Sequence, residues 1–150
     1  MMRSPEDVYL DELREKVLNC FKAASQATGA RLEHRWGLRC NAMQSNAAIL
    51  ELWSKNMEAV GRKVGNISEN SGSTDMGNVS VTVPSIHAFM SISAEPQPFH
   101  STEFAAAAAS DAGKQAVIDA AKALAMTAAD IVAQPDALAR IKEEFAKMRS

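Results

Sequence analysis

Apolar residues recur three or four positions apart along most of this chain, and one stretch near its middle breaks the rhythm. Leu10, Leu13, Val17, Cys20, Phe21 and Ala24 predict one face of an amphipathic helix. Ser4 can cap that helix, Pro5 suits its first position, and Asp7 sits where a capping-box acid belongs. Gly29 marks its stop, so a helix is expected from Ser4 to Thr28. Cys20 lies on the predicted stripe and reads as a small core residue. Residues 31–36 alternate imperfectly, as a half-exposed strand would, with His34 outward among charges. A second helix opens at Ser45 or Asn46, buries Ile49, Leu50, Trp53, Met57 and Val60, and ends at Gly61 or Gly65.

The rhythm changes between Gly72 and His100, where Ser, Thr, Val, Ile, Gly and Pro replace the helix formers. Val79, Val81 and Val83 alternate with Ser80 and Thr82, which predicts a strand over 79–83. Pro84 interrupts it, and a second strand is expected over 86–92, followed by a loop over 94–98. Beyond that the chain is Ala-rich. Ser101 or Thr102 caps a short helix to Ala109, and Ser110-Asp111 restarts a long one with Val117, Ala120, Ala121, Leu124, Ala128 and Ile131 as its apolar stripe. Pro135 stops it. Asp136 then caps a final amphipathic helix, with Leu138, Ile141, Phe145 and Met148 inward and Lys142, Glu143, Glu144 and Lys147 solvated.

The 150 residues suffice for one core or two small units. A net charge of -2 with scattered basic residues gives no reason to expect nucleic acid or an anionic membrane surface. No apolar run approaches the roughly 20 residues of a bilayer span, and the first residues do not resemble a signal peptide. Cys20 and Cys40 form neither a disulfide framework nor a CxxC pair, which points to a reduced, cytoplasmic setting.

Residue types alone leave the chemistry open. His100 follows Pro98 and Phe99 on a loop with a helix start behind it, a place for a metal ligand or for a histidine bonded to backbone. Asp75 fits a metal ligand, an orienting acid or a turn residue. His87 lies among apolar residues and reads as structural. Ser73, Asp75 and His87 can be strung into a triad, but no Gly-x-Ser-x-Gly elbow supports it. His34 has no ligand-type neighbour at metal spacing.

Three ordered motifs narrow this. Gly72-Ser73-Thr74-Asp75-Met76-Gly77-Asn78-Val79-Ser80, then Val83-Pro84-Ser85-Ile86-His87, then Phe99-His100-Ser101-Thr102-Glu103-Phe104, resemble the C-terminal region of the two-zinc amidohydrolases and peptidases of the aminoacylase and carboxypeptidase G type (peptidase family M twenty). The nearest branch is that of aminobenzoyl-glutamate hydrolases and dipeptidase relatives, which the run Ala121-Lys122-Ala123-Leu124-Ala125-Met126-Thr127-Ala128 is also similar to. Residues 17–29 resemble the second half of that family's small lid domain.

The resemblance implies an α/β fold in part: residues 1–42 as the second half of an α+β lid or dimerisation domain, and 43–150 as the C-terminal sheet-and-helices portion of a zinc-peptidase-like catalytic domain. It implies that His100 is the family's last metal ligand and that Gly72, Ser73, Thr74 and Asp75 line the substrate cleft. The implied chemistry is hydrolysis of a small amide or peptide substrate at a pair of zinc ions. The family's general base, bridging acid and other ligands have no counterpart in these 150 residues, so no catalytic residue is assigned. The expectation is therefore a fragment or subunit, inactive alone, that joins a missing N-terminal catalytic half or forms a homodimer. The alternative is a non-catalytic dimerisation or regulatory subunit, or a degenerate remnant of the family.

Overall fold

A computed structural model of the chain describes residues 2, 4–65 and 73–148. Its elements are helices: α1 (Asp7–Thr28), α2 (Ala47–Ala59), α3 (Met76–Ser80), α4 (Thr102–Ala109), α5 (Asp111–Ala133) and α6 (Pro135–Met148). They fall into two compact units, one of residues 1–44 and 72–82, the other of 45–71 and 83–150. Among the described residues no helix is long and apolar enough to cross a membrane.

In the first unit a non-helical run, 39–44, is hydrogen-bonded both to α1 and to α3. Helix α1 ends as its sequence predicts, with Gly29 at φ +71°. Its start differs: Glu6 occupies the cap position without a side-chain bond, and the Ser4 hydroxyl instead accepts from the Glu6 amide at 3.0 Å. Asp7 and Asp11 hold the run that follows. Asp7 Oδ1 accepts from the Ala42 amide at 3.0 Å, and Arg39 donates to Asp11 at 2.9 Å and to the Asp7 carbonyl at 3.2 Å. Helix α3 grips the same run from its own side. The Asn78 side chain accepts from the Asn41 amide at 2.7 Å and donates to the Arg39 carbonyl at 3.0 Å, as a neighbouring strand's peptide group would. Ser80 Oγ accepts from the Gln44 amide at 3.0 Å and donates to the Gly77 carbonyl at 2.8 Å. Gly77 must be glycine for this approach, because a Cβ there would stand 1.9 Å from the Asn41 carbonyl oxygen.

The second unit is built on α2 and α5, with α6 packed on both. Trp53, Met57 and Ala123 form its buried cluster, joined by Val60, Ile86, Ala88 and Met90. Asn46 caps α2, as its position predicts, by accepting from the Ile49 amide at 3.1 Å. Ser101 and Ser110 cap α4 and α5 in the same way, through the amides of Phe104 and Gly113. The Asn46 amide itself donates to the Ser85 carbonyl at 2.9 Å, beside a single parallel bridge between Ser45 and Ser85.

Several expectations are corrected. The fold is α-rich, and among the described residues the strands expected at 31–36, 79–83 and 86–92 do not form. Residues 79–80 instead close α3, whose turns the Asp75 and Gly77 carbonyls support. Period-two alternation records which way side chains face, whereas a strand also requires a partner for its backbone N–H and C=O groups. None of these three runs has such a ladder here. Cys20 is exposed rather than in the core, since α1 buries Leu10 and Leu18 on a face rotated away from it. Pro135 opens α6 as well as ending the chain's path along α5, and Asp136 lies inside its first turn rather than capping it. The stripe predicted for α5 faces the wrong way: Ala116, Asp119, Ala123 and Thr127 are buried, while Val117 and Leu124 are exposed. Glu144 is not solvated surface charge, because its two oxygens accept from the Ala47 and Ala48 amides at 2.6 and 2.9 Å.

Candidate functional site

His100 sits at the corner that leads into α4, exposed, with φ +62°. The left-handed region is uncommon for a residue with a Cβ, although His enters it more often than most. The surrounding corner accounts for how it is held. Phe99 stacks obliquely on Phe104 at 5.3 Å and on Phe89 at 5.9 Å, and Phe89 in turn lies 5.0 Å from the His87 ring. Immediately after His100, Ser101 Oγ accepts from the Phe104 amide at 3.0 Å and donates to the Pro98 carbonyl at 2.8 Å. Aromatic packing and a helix cap thus clamp both sides of a single strained residue and leave its imidazole facing outward. In the first turn of α4, Glu103 stays below the usual carboxylate range because of its own backbone N–H and the hydroxyls of Ser101 and Thr102.

The other candidates belong to the first unit. Gly72 lies outside the described residues. Ser73 is exposed, and Thr74 is half-buried with its hydroxyl accepting from the Met76 amide at 3.3 Å. Asp75 is exposed at the head of α3, where its side chain makes no capping bond and its carbonyl receives the Asn78 amide at 2.9 Å. Neither unit by itself gathers Asp75 and His100, since the first residue belongs to one and the second to the other.

His87 is half-buried and lines a cavity of about 360 Å³ in the second unit, together with Trp53, Met57, Arg62, Phe89 and Met90. His100 is not among that cavity's lining. Arg62 is occupied with Asp119, to which Nε donates at 2.9 Å and Nη2 comes within 2.8 Å. The hydrogen bond from Gln115 and then that from Arg62 hold the Asp119 carboxyl below its ordinary range. These groups steady α5 against the segment after α2 and do not point to a reaction.

Among the described residues no three His, Cys, Asp or Glu side chains come together in a way that would hold a metal ion. A catalytic zinc needs about three protein ligands, so His100 alone does not fit one. The described residues by themselves therefore do not assemble a zinc site, and no reaction step is drawn from them.

Sequence reasoning passed over Asn78 and Ser80, which fix the turn carrying the cleft candidates. The signal was present: Asn and Ser favour side-chain bonds to nearby backbone, and two of them within a Gly-rich turn fit such anchoring.

No protein-family profile matches the chain. It is 37% identical over 153 aligned residues to the Xaa-Arg dipeptidase of Homo sapiens and 34% identical over 151 to that of Mus musculus. Each match covers 95% of this chain and 34% of the relative, so the chain spans about a third of the length of the proteins it resembles. Over that third, these likenesses support a peptidase kinship of the dipeptidase kind.

Proposed function

We propose that this chain is one portion of a metal-dependent amidohydrolase that cleaves a small amide or dipeptide bond, and that it acts only when joined to the part its relatives carry beyond the matched third. The observation that carries this reading is the likeness to the two Xaa-Arg dipeptidases along nearly the whole chain. The corner at His100 supports it. A residue kept in a sparsely populated backbone region, with its imidazole outward and its neighbours locked, has the character of a side chain positioned for use. His100 is then a metal ligand that this chain offers, and Ser73, Thr74 and Asp75 form a stretch of the substrate cleft. The remaining ligands and the general base come from the other portion.

The test is a chimera in which this chain replaces the matched third of the human relative, assayed on an Xaa-Arg dipeptide with metal content measured in parallel. Hydrolysis is expected, and His100→Asn is expected to abolish it and to lower bound metal. Asparagine is the right substitution because it tolerates the left-handed backbone. An active chimera indifferent to His100→Asn would refute the ligand assignment, and a folded chimera without activity would refute the dipeptidase reading.

A further inference from the structure

Four residues, Pro98 to Ser101, turn the chain into α4, and one side chain closes that turn. The Ser101 hydroxyl donates to the Pro98 carbonyl at 2.8 Å and so spans Phe99 and His100, the two residues between. A turn whose third residue has positive φ is ordinarily closed by the amide of its fourth residue. Here it is the fourth residue's hydroxyl that reaches the first carbonyl, and the third residue is His100 at φ +62°. The same oxygen accepts from the Phe104 amide at 3.0 Å and caps α4. A hydroxyl can do both, because it carries one donor and two acceptor sites.

The two roles of that one oxygen are separable. Its accepting side holds the helix, and a carboxylate would do so as well, since a negative group suits the helix dipole. Its donating side holds the turn, and a carboxylate cannot supply that proton. Phe99 is fixed by the rings of Phe104 and Phe89, which anchor the residue before His100. His100 itself is exposed, so packing does little to hold it in a backbone region that a Cβ disfavours.

We propose that Ser101 is a positioning residue for His100: its donated bond to Pro98 keeps the corner left-handed and sets the direction in which the imidazole leaves the chain. This rests on the dipeptidase reading, in which His100 is put to use, and adds the group that aims it. Released from that bond, His100 relaxes to the extended or helical backbone that residues with a Cβ prefer, and its ring swings aside. A misplacement of about 1 Å at a reacting centre slows a reaction by up to about 100-fold.

Three variants separate the two sides of the hydroxyl. Ser101→Thr keeps both, Ser101→Asp keeps only the accepting side, and Ser101→Ala removes both. In the isotope-labelled 150-residue chain, NMR reads the His100 backbone through its Cα and Cβ shifts, and α4 through exchange of the Phe104 amide. In the chimera with the human relative, kcat and KM are measured on an Xaa-Arg dipeptide. Thr is expected to match wild type. Asp is expected to keep the Phe104 amide protected while the His100 shifts leave the left-handed range. In the chimera it should lower kcat at least about tenfold, with KM within about twofold. Ala should lose the Phe104 protection as well. An Asp variant with wild-type kcat would overturn the proposal, because the hydroxyl would then serve the helix alone. So would a fall in kcat with the His100 shifts unmoved, or one accompanied by loss of Phe104 protection. A chimera inactive from the outset refutes the dipeptidase reading and this role with it. An active chimera indifferent to Ser101→Asp refutes this role alone.

Discussion

Asn46 and Ile141 stand 95 positions apart, and a single hydrogen bond joins them: Asn46 Nδ2 donates to the Ile141 carbonyl at 3.1 Å, with both residues buried. The same side chain caps α2 through its Oδ1. One amide group therefore starts one helix and anchors it to a mid-helix carbonyl of another. Asn46→Ala removes both bonds. A lost cap costs about 1 kcal/mol and a buried carbonyl left with one fewer partner about 1–3 kcal/mol, so a loss of about 2–4 kcal/mol is expected. Urea unfolding of the 150-residue chain measures it, and a change within about 0.5 kcal/mol would show that the two helices do not rely on Asn46.

Glu144 completes the same junction from α6. Its carboxylate receives the first two amides of α2, which otherwise have no partner inside the helix. A negative group at a helix N-terminus also suits the helix dipole. Glu144→Gln keeps one accepting oxygen and loses the charge, whereas Glu144→Ala loses both bonds. The expected order of stability is wild type, then Gln, then Ala, with Ala about 1–2 kcal/mol down. Equal stability of the Gln and Ala variants would mean that charge rather than hydrogen bonding holds the junction.

These two residues show what the sequence disclosed. Asn46 was legible because a cap is a local event, decided by a residue type and the apolar run behind it. The same holds for Ser101, Ser110 and Gly29, each found where its chemistry placed it. Glu144 was not legible, because its partners lie 96 and 97 positions away and a carboxylate on a charged helix face looks solvated. The α5 stripe failed for a related reason. With apolar residues around most of the helix, period alone could not say which side meets α2, and the buried side turned out to carry Asp119 and Thr127. The strands failed because alternation says nothing about a partner. At the candidate site, the exposed loop position of His100 was readable from Pro98 and the Ser101 cap, but its left-handed backbone and aromatic clamp were not.

Gly77 carries a prediction of its own. A methyl group there would sit 1.9 Å from the Asn41 oxygen and 2.8 Å from its carbonyl carbon, both backbone atoms that cannot rotate aside. Gly77→Ala must push α3 away from residues 39–44 and strain the bonds that Asn78 and Ser80 make there. A loss of about 3 kcal/mol from the first unit is expected. Hydrogen exchange is the sharper measurement: the Asn41 and Gln44 amides, held by Asn78 and Ser80, should exchange much faster, while amides of α5 should not change. Unaltered protection at Asn41 would show that the first unit absorbs the methyl without opening.

Acid should loosen the contact between α2 and α6 through Glu51. Its carboxylate takes hydrogen bonds from Lys55 and from Arg140, each at 2.7 Å, and these hold its pKa down to about 2 from an ordinary 4.5. A carboxyl whose pKa is lower in the folded chain adds stability that is fully present above the ordinary value and is lost as pH falls toward the folded one. The window is therefore pH 4.5 to about 2. Both partners are largely in water, so the contribution is small and salt-sensitive. Thermal unfolding of wild type and Glu51→Gln should differ most above pH 5 in low salt and converge toward pH 2. Raising salt to about 1 M should shrink the difference, since the screening length falls to about 3 Å. If the gap between the two proteins instead widened on acidification, Glu51 would be bound more weakly as an anion than as an acid, and the Lys55–Glu51–Arg140 link would not be what joins the two helices.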